Sequence, residues 1–288
     1  MNLGDSRMDE GILRATVPGG AWAAIDVVAS TGSTNADLLA RAVAEPDTPE
    51  GQVLVAEEQT AGRGRLGRTW TSVPGASLTF SVLLRPASVP PDRRGWLPML
   101  TGIAVASAVR SVTGGTDDDP GVDALLKWPN DVLVGERKLA GILTEQSPDG
   151  SAVVIGTGVN VTTPADALPV SPNGLPATSL LVEGAVVSRE TLLLAILGQL
   201  ADWYAVYRGD PDPVRTGLLA EYRRLCCTLG QTVRVELPAG RVVTGVATDV
   251  DSNGRLLVAD NAGTRPMAVS AGDVIHVRSP NDRIPERD

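Results

Sequence analysis

The chain changes character at Gly230, and this change limits the folds that it can adopt. From Gln231 to Arg278 it contains only short apolar or β-branched runs, separated by turn residues such as Ser252-Asn253-Gly254. The predicted strands are Val233 to Leu237, Val242 to Asp249, Leu256 to Ala259, Pro266 to Ser270 and Val274 to Val277. Five short strands in about 48 residues predict a small β-barrel.

Before Gly230, strand and helix signals are mixed, which predicts a larger α+β domain. The 288 residues have room for one large domain and a small companion. We predict helices at 34–43, 97–109, 191–207 and 214–225, and strands at 27–28, 53–55, 77–84, 131–134, 138–145 and 152–161. Thr34 and Asp37 have the spacing of a capping box. We therefore predict a flexible segment at 1–24, a large α+β domain at 25–229 and a barrel domain at 230–279.

The charge of the chain limits its partners. It has 34 acidic and 25 basic side chains, a formal charge of −9. Such a chain is poorly suited to hold a polyanion over its whole surface, so nucleotide contacts must come from a local basic cluster. No apolar run approaches the roughly 18 residues that cross a bilayer, and we expect no membrane contact. A disulfide between the adjacent Cys226 and Cys227 would be strained, which favours a reduced, cytoplasmic protein.

A loop rich in glycine and arginine, from Gln59 to Trp70, is the most informative stretch. Its glycines let the backbone approach a ligand closely, and its three arginines offer forked donors for phosphate or carboxylate. The same letters match the GxGxxG fingerprint and, apart from arginine in place of lysine, a P-loop. Both motifs require a helix directly after the glycines, whereas a strand follows here, so we reject both. The loop is predicted to bind an anion; the alternative is an exposed turn with solvated arginines.

A second stretch places two lysines on either side of a predicted hairpin. Lys127 follows apolar residues, and Lys138 begins an apolar strand. Between them, Asn130 offers both donor and acceptor groups, and Asp131 offers oxygen ligands of the kind that Mg²⁺ prefers. A single lysine at a strand end usually faces solvent, but two lysines that bracket Asn130 and Asp131 favour an anion site. Asn160, at the end of a later strand, is predicted to reach the same pocket.

Taken together, these segments resemble the biotin protein ligases. The matching motifs occur in the family's order, and the resemblance covers about residues 25 to 278. They are Ser33-Thr34-Asn35, Gln59 to Trp70, Lys127 to Asp131 and Lys138 to Leu143. The resemblance implies an α+β catalytic domain, a mixed sheet with helices related to class II aminoacyl-tRNA synthetases, followed by an SH3-like β-barrel. That division agrees with the change at Gly230.

The resemblance also implies an activity. Biotin and ATP are the expected substrates, with Mg²⁺, and biotinyl-5′-AMP is the expected intermediate. Biotin is then expected to pass to a lysine of the biotin carboxyl carrier protein, a subunit of biotin-dependent carboxylases. Some family members repress genes through an N-terminal winged helix, but this chain reaches its first strand near residue 26. We therefore expect a ligase without specific DNA binding.

Site residues follow from the same resemblance. Those expected to contact biotin are Ser33, Thr34, Asn35, Gln59, Arg63, Gly64, Arg65 and Lys138. Those expected to contact the nucleotide are Arg63, Arg65, Arg68, Trp70, Lys127, Asn130, Asp131 and Asn160. Arg65 and Lys138 are expected to be catalytic, and Asp131 is the expected metal ligand. The only histidine, His276, is expected to be structural.

Two alternatives stay open from the sequence. A lipoate ligase shares the fold and the adenylation chemistry, but the full Gly-Arg-Gly-Arg loop and Lys-Trp-Pro-Asn-Asp disfavour it. A non-catalytic nucleotide-binding scaffold is disfavoured by Arg65, Lys127 and Lys138, charges that such a protein has no need to keep.

Overall fold

The computed structural model describes residues 7–17, 20–114, 121–169, 175–237, 240–260, 266–270 and 272–277. The helices are α1 Glu10–Thr16, α2 Thr34–Ala44, α3 Trp96–Val112, α4 Arg189–Gly209 and α5 Leu218–Leu225. The strands are β1 Ala24–Val28, β2 Gln52–Ala56, β3 Ser77–Leu84, β4 Ala124–Lys127, β5 Asp131–Val134, β6 Arg137–Gln146, β7 Val153–Asn160, β8 Thr232–Glu236, β9 Val242–Val250, β10 Leu256–Ala259, β11 Met267–Val269 and β12 Asp273–His276.

The first seven strands form one mixed sheet with β7 at its centre and β3 beside it. Their order is β1-β2-β3-β7-β6-β5-β4; β1 and β2 are parallel and the other pairs are antiparallel. All eight residues of β3 are buried because helices cover both faces of the sheet. Leu38 of α2 packs with Leu54 and Leu83 on one face, while Phe80 and Val82 join α3 and α4 in the main core on the other. The sheet and its helices confirm the predicted α+β class.

Helix α3 is apolar on most sides because it lies between the sheet and α4. Residues 91–112 are long enough and apolar enough to cross a membrane by length and composition alone, and 67% of the window is buried inside the protein. This finding corrects the statement that no apolar run approaches that length. This burial is typical of a core helix, which is apolar because it packs against other parts of the protein.

The last five strands form a separate antiparallel sheet in the order β11-β10-β9-β8-β12. Each matches a predicted strand to within a few residues, so the change at Gly230 is confirmed as a change of architecture. Within the residues that the structure describes, no pairing joins β11 to β12, and the closed barrel stays a prediction. Residues 238–239 and 261–265, which separate predicted strands of this region, lie outside the described residues, as do residues 170–174.

The two sheets share one hydrophobic core. Val235 and Val250 of the second sheet belong to the same buried cluster as α3. The indole nitrogens of Trp96 and Trp128 donate to the carbonyls of Ser252 (2.9 Å) and Gly254 (3.0 Å). The loop between β9 and β10 is therefore fastened to the mixed-sheet part of the chain by hydrogen bonds as well as by apolar packing.

Some elements differ from the sequence predictions. The segment 1–24, expected to be flexible, contains α1, which Asp9 caps and which buries Leu13. Strand β4 was not predicted, and α5 begins at Leu218 rather than 214 because Gly217 adopts a left-handed conformation (φ 77°) that interrupts the helix.

At α2, the N-cap is Ser33 and not Thr34. The Ser33 hydroxyl accepts the Ala36 N–H, which leaves the Thr34 hydroxyl for other partners.

Candidate active site

One cavity of about 970 Å³ lies between the mixed sheet and the C-terminal sheet. Every residue that the sequence assigned to the site lines it: Ser33, Thr34, Asn35, Gln59, Arg63, Gly64, Arg65, Arg68, Trp70, Lys127, Asn130, Asp131, Lys138 and Asn160. The structure thus brings five separate stretches of sequence to one space. The position of these residues in one cavity does not assign each residue to a particular ligand.

One part of the cavity, which we call the neutral end, is built by Ser33, Thr34, Asn35 and Gln59. The first three residues lie at the start of α2 and are 6%, 2% and 3% exposed. Gln59 Oε1 accepts from the Thr34 backbone N–H (2.8 Å) and lies 3.0 Å from Thr34 Oγ1. The helix start is thereby held to the loop after β2, and uncharged polar groups are fixed at this end of the cavity.

The floor of the cavity depends on two glycines of β7. A Cβ at Gly156 would lie 2.3 Å from Asn35 Oδ1, and a Cβ at Gly158 would lie 2.3 Å from the Trp70 ring. Real structures essentially never show contacts this short, so neither position has room for a side chain. The glycines let the Asn35 amide and the Trp70 indole approach the sheet backbone.

The opposite part, the charged end, is built by Arg65, Lys127, Asn130, Asp131 and Lys138. Lys138 Nζ lies 2.7 Å from Asp131 Oδ1 and 5.8 Å from the centre of the Trp70 ring. Arg65 donates to Asn130 Oδ1 (3.0 Å), and Asn130 Nδ2 donates to the Ile142 carbonyl (2.7 Å). These contacts bring three cations to one side of the cavity with a single carboxylate among the five residues.

The backbone of Lys138 is fixed by a segment that sequence reasoning did not place at the site. Lys138 N–H donates to the Pro176 carbonyl (2.7 Å), and Thr178 N–H donates to the Lys138 carbonyl (2.9 Å). Asn160 Nδ2 also donates to the Thr178 carbonyl (2.9 Å). Asn160 therefore lines the cavity while it anchors the segment that holds Lys138.

Burial lowers the pKa of two of these three cations. Desolvation lowers the pKa of Lys127 and of Arg65, and it outweighs the opposite effect of Asp131 on both groups. Lys127 is only 8% exposed. A buried cation that is held at this cost in solvation is stabilised when an anion enters the site.

The arginine loop is attached at both ends of the cavity. Arg63 Nη2 lies 3.1 Å from Glu145 Oε2, beside the neutral end. Arg68 forms an ion pair with Asp273 of β12, in the C-terminal sheet. Within the loop, Gly64 N–H donates to the Arg68 carbonyl (2.7 Å), which keeps the arginines on a short turn. The loop thus connects the catalytic half to the C-terminal sheet across the cavity.

His276 lies at the cavity wall and not in the interior of the tail domain. It lines the cavity, with Nε2 3.2 Å from Thr228 Oγ1. Burial, and then the nearby Lys127, lower the pKa of His276 to about 4, so the ring is neutral at pH 7. Cys227 and β12 also line the cavity. Sequence reasoning missed these contacts because they arise from the docking of the two sheets, which no local pattern reports.

Several polar atoms of the cavity wall are buried without a hydrogen-bond partner. Among the described residues that line the cavity, these atoms are Trp70 Nε1, Thr79 Oγ1 and Thr157 Oγ1. An unpaired buried donor or acceptor destabilises a fold by roughly 1–3 kcal/mol. Such atoms are typical of a wall that a ligand completes.

Two protein-family models match the chain. The biotin/lipoate A/B protein ligase family matches residues 27–160, and the biotin protein ligase C-terminal domain matches residues 228–277. The chain is 43% identical to the biotin–[acetyl-CoA-carboxylase] ligase of Mycobacterium tuberculosis over 274 residues, 94% of this chain and 96% of that protein.

Solved structures show the same likeness. Biotin protein ligase from Aquifex aeolicus in complex with biotin and ATP superimposes with a TM-score of 0.71 at 26% identity, covering 88% of this chain and 99% of that one. Biotin protein ligase from Leishmania major in complex with biotinyl-5-AMP superimposes with a TM-score of 0.59 at 26% identity, covering 84% and 98%.

Proposed function

We infer the chemistry of this cavity from one premise: the chain belongs to the biotin protein ligase family. It is a ligase that uses ATP to attach biotin to a carboxylase through biotinyl-5′-AMP. The observation that carries this conclusion is the 43% identity to the Mycobacterium tuberculosis ligase across 94% of the chain. A cavity with one neutral end and one charged end fits a substrate with an uncharged ring and a carboxylate.

The reaction needs ATP because a carboxylate is a poor electrophile. The biotin carboxylate attacks the α-phosphate of ATP, which forms the mixed anhydride biotinyl-5′-AMP and releases pyrophosphate. A lysine amine of the carrier protein then attacks the acyl carbon, an amide forms and AMP leaves. Two anions must meet in the first step, so the site has to supply compensating positive charge.

The neutral end is proposed to bind the ureido ring of biotin through Ser33, Thr34, Asn35 and Gln59. These side chains are uncharged, the first three are buried, and Gln59 accepts from the Thr34 N–H at 2.8 Å, as recognition of a neutral polar ring requires. Gly64, with Arg63 beside it, is proposed to close over the ring and its chain.

The charged end is proposed to carry out the adenylation. Lys138 is assigned to the biotin carboxylate and the α-phosphate, because its ammonium lies near both Asp131 and the Trp70 ring in the cavity. Arg65 and Lys127, which burial leaves poorly solvated, are assigned to the phosphates and the adenylate. The remaining nucleotide contacts are assigned to Arg68, Trp70, Asn130, Asp131 and Asn160.

The Mg²⁺ that accompanies ATP is proposed to bind Asp131. Within the described part of the chain, no three His, Cys, Asp or Glu side chains are grouped to hold a metal by themselves. Mg²⁺ commonly takes one or two carboxylates and completes its ligands with substrate phosphates, so a single carboxylate beside a phosphate site fits this ion. Bound there, the ion would supply charge that stabilises the departing pyrophosphate.

The partner is proposed to be the biotin carboxyl carrier protein of a cytoplasmic carboxylase, with no membrane contact and no specific DNA binding. The relative from Mycobacterium tuberculosis, a biotin–[acetyl-CoA-carboxylase] ligase, supports a carboxylase as the acceptor. The acidic balance of the chain and the assignment of its arginine loop to the adenylate argue against a DNA surface. A salt-sensitive, sequence-selective gel shift with biotin-operon DNA would overturn the DNA statement. The boundaries 1–24, 25–229 and 230–279 remain a proposal.

ATP–pyrophosphate exchange tests the function directly, with biotin and lipoate supplied in separate reactions. Exchange that depends on biotin is the expected result. Exchange with lipoate alone would favour the lipoate ligase alternative, and no exchange with either acid would favour a non-catalytic scaffold. Transfer of labelled biotin to purified carrier protein then tests the second step.

A further inference from the structure

Two side chains stand behind the neutral end without lining the cavity: Ser81 on β3 and Glu145 on β6. Ser81 is fully buried, and its Oγ lies 2.7 Å from both Thr34 Oγ1 and Asn35 Oδ1. Glu145 Oε2 accepts from Asn35 Nδ2 at 2.9 Å. The two residues therefore extend the neutral end into one hydrogen-bonded chain that runs from Gln59 to Glu145.

The side-chain amides of Asn35 and Gln59 are oriented by partners that can only donate or only accept a hydrogen bond. Asn35 Nδ2 faces the Leu143 carbonyl (3.0 Å) and the Glu145 carboxylate, both of which are acceptors. Asn35 Oδ1 must then face Ser81. Gln59 Oε1 faces the Thr34 backbone N–H, which can only donate. The positions of both amide oxygens therefore follow from their hydrogen-bond partners.

This chain has more oxygen–oxygen contacts than hydroxyl hydrogens to fill them. Three oxygen–oxygen contacts join Gln59 Oε1 to Thr34 Oγ1 (3.0 Å), Thr34 Oγ1 to Ser81 Oγ (2.7 Å), and Ser81 Oγ to Asn35 Oδ1 (2.7 Å). Amide oxygens carry no hydrogen, so the two hydroxyl hydrogens of Thr34 and Ser81 must serve all three contacts. The Ser81 hydrogen goes to Asn35, because Asn35 Oδ1 can only accept.

The shortage determines what the neutral end can bind. The single hydroxyl hydrogen of Thr34 is already shared between Ser81 and Gln59, so Thr34 Oγ1 can only accept from a ligand. Gln59, whose oxygen is turned to Thr34, keeps its Nε2 hydrogens for other acceptors. A matching ligand offers an N–H donor next to a carbonyl acceptor, as a cyclic urea does.

We propose that Ser81 and Glu145 are positioning residues that set the hydrogen-bond polarity of the neutral end, so that it accepts a ring N–H and rejects a ring oxygen. This inference rests on the proposed function, in which the ring is the ureido group of biotin. It gives a physical reason for discrimination against a dithiolane such as lipoate, which has no N–H to donate. A site built to pair with an N–H leaves its own buried groups unpaired when the analogue lacks it.

The test uses biotin and the two cyclic carbamate analogues in which one or the other ring N–H is replaced by oxygen. Biotin-dependent pyrophosphate exchange is measured for the parent enzyme, Ser81→Ala and the control Ser77→Ala. Ser77 is a buried serine on the same face of β3, but its hydroxyl contacts Val73 and Thr163 and not the chain at the neutral end.

The parent is expected to favour biotin over at least one carbamate by about a hundredfold in kcat/KM. In Ser81→Ala the Thr34 hydrogen has one neighbouring acceptor, Gln59 Oε1, instead of two, so it turns toward a ring oxygen more readily. The preference is expected to fall to about tenfold, while the KM for biotin rises about tenfold and the KM for ATP is unchanged. Ser77→Ala is expected to change neither the preference nor either KM.

Glu145 is tested by a conservative pair. Glu145→Gln keeps an acceptor oxygen for Asn35 and is expected to keep the parent's preference. Glu145→Leu removes that acceptor and is expected to lower the preference, by less than Ser81→Ala does because the Leu143 carbonyl still holds Asn35.

The two levels of the proposal fail in different ways. A parent enzyme that uses both carbamates as well as biotin, or a Ser81→Ala enzyme that keeps the full preference, overturns the polarity inference and leaves the ligase assignment intact. A parent enzyme with no biotin-dependent exchange overturns the assignment itself. Should Ser81→Ala fail to fold, an unchanged preference in Glu145→Leu overturns the inference by itself.

Discussion

The two ends of the cavity are held in different ways. At the neutral end, Thr34 and Asn35 are at most 3% exposed and are fixed by a helix start and central strands. At the charged end, the Lys138 side chain is 30% exposed, and the neighbouring Arg68, whose side chain is 59% exposed, reaches across to the C-terminal sheet. The neutral end is thus held by buried side chains on rigid elements, whereas the charged end also uses long, partly exposed side chains and neighbours a contact between the two sheets.

The largest expected effect comes from Lys138 at the charged end. Lys138→Ala should slow adenylate formation about a hundredfold, because removal of one preorganised charge contact costs on the order of 3 kcal/mol in the transition state. Biotin binding should weaken much less, since the ring contacts remain. Pyrophosphate exchange and equilibrium biotin binding separate the two effects, and Arg137→Ala, the exposed neighbour, is the control. Near-normal exchange in Lys138→Ala would contradict its assignment.

A smaller effect is expected from Arg65, which joins the loop to Asn130. Arg65→Gly removes a charged hydrogen bond and should let biotinyl-5′-AMP escape about ten times faster, with adenylation retained because Lys127 and Lys138 still supply positive charge. Promiscuous labelling of lysines on unrelated proteins is the measurable consequence. Arg215→Gly, a surface arginine paired with Asp210, serves as the control. Equal labelling by parent and variant would show that the loop does not retain the intermediate through Arg65.

Removal of the ion pair that joins the arginine loop to the C-terminal sheet should have a smaller effect on the kinetic constants. The Arg68–Asp273 pair is largely exposed on the arginine side, and exposed pairs contribute roughly 0.2–1 kcal/mol. Asp273→Ala is therefore expected to raise the KM for ATP two- to fivefold and to leave the KM for biotin unchanged. Asp249→Ala, which removes another exposed pair of the same sheet, should change neither constant. An equal change in both constants would mean that the link does not act on the charged end alone.

The smallest effect concerns pH. His276 has a pKa lowered from 6.5 to about 4, so the unfolded chain binds more protons than the folded one between these values. Its contribution to stability is complete above pH 6.5 and is lost as the pH falls toward 4. After allowance for partial solvent exposure, His276→Gln should recover less than about 1 kcal/mol of unfolding free energy at pH 4. Urea denaturation at pH 4 and pH 7 measures it; an equal difference at both pH values would exclude the titration.

Patterns along the chain predicted the parts of the fold that depend on local signals. Strand β3 was placed to the residue because eight apolar or small residues lie between turn signals, and the last five strands followed from their turns. The short β4 was missed because its four residues were interpreted only as an apolar wall for Lys127. The segment at α1 was missed because seven residues give too little helical periodicity.

The site was predictable only where a motif names its residues. Those motifs identified residues that all line one cavity. Ser81 and Glu145 stand outside the motifs that the sequence offered, and their contacts to Asn35 join positions 46 and 110 residues apart. Likewise, Asp273 meets Arg68 across 205 residues. No window of sequence reports such contacts, because they depend on the register of the sheet and on the docking of the second sheet.

The bonds from Trp96 and Trp128 to the β9–β10 loop also have a consequence for the way the protein is made. Trp96 emerges from the ribosome 156 residues before its acceptor Ser252. At about 5–20 residues per second, helix α3 waits roughly 8–30 seconds for the strands that cover this tryptophan. During that interval an apolar helix end is open to chaperones and to other nascent chains. Synonymous codons that slow translation between these positions should lengthen the exposure and lower the yield of folded enzyme without any change in its sequence.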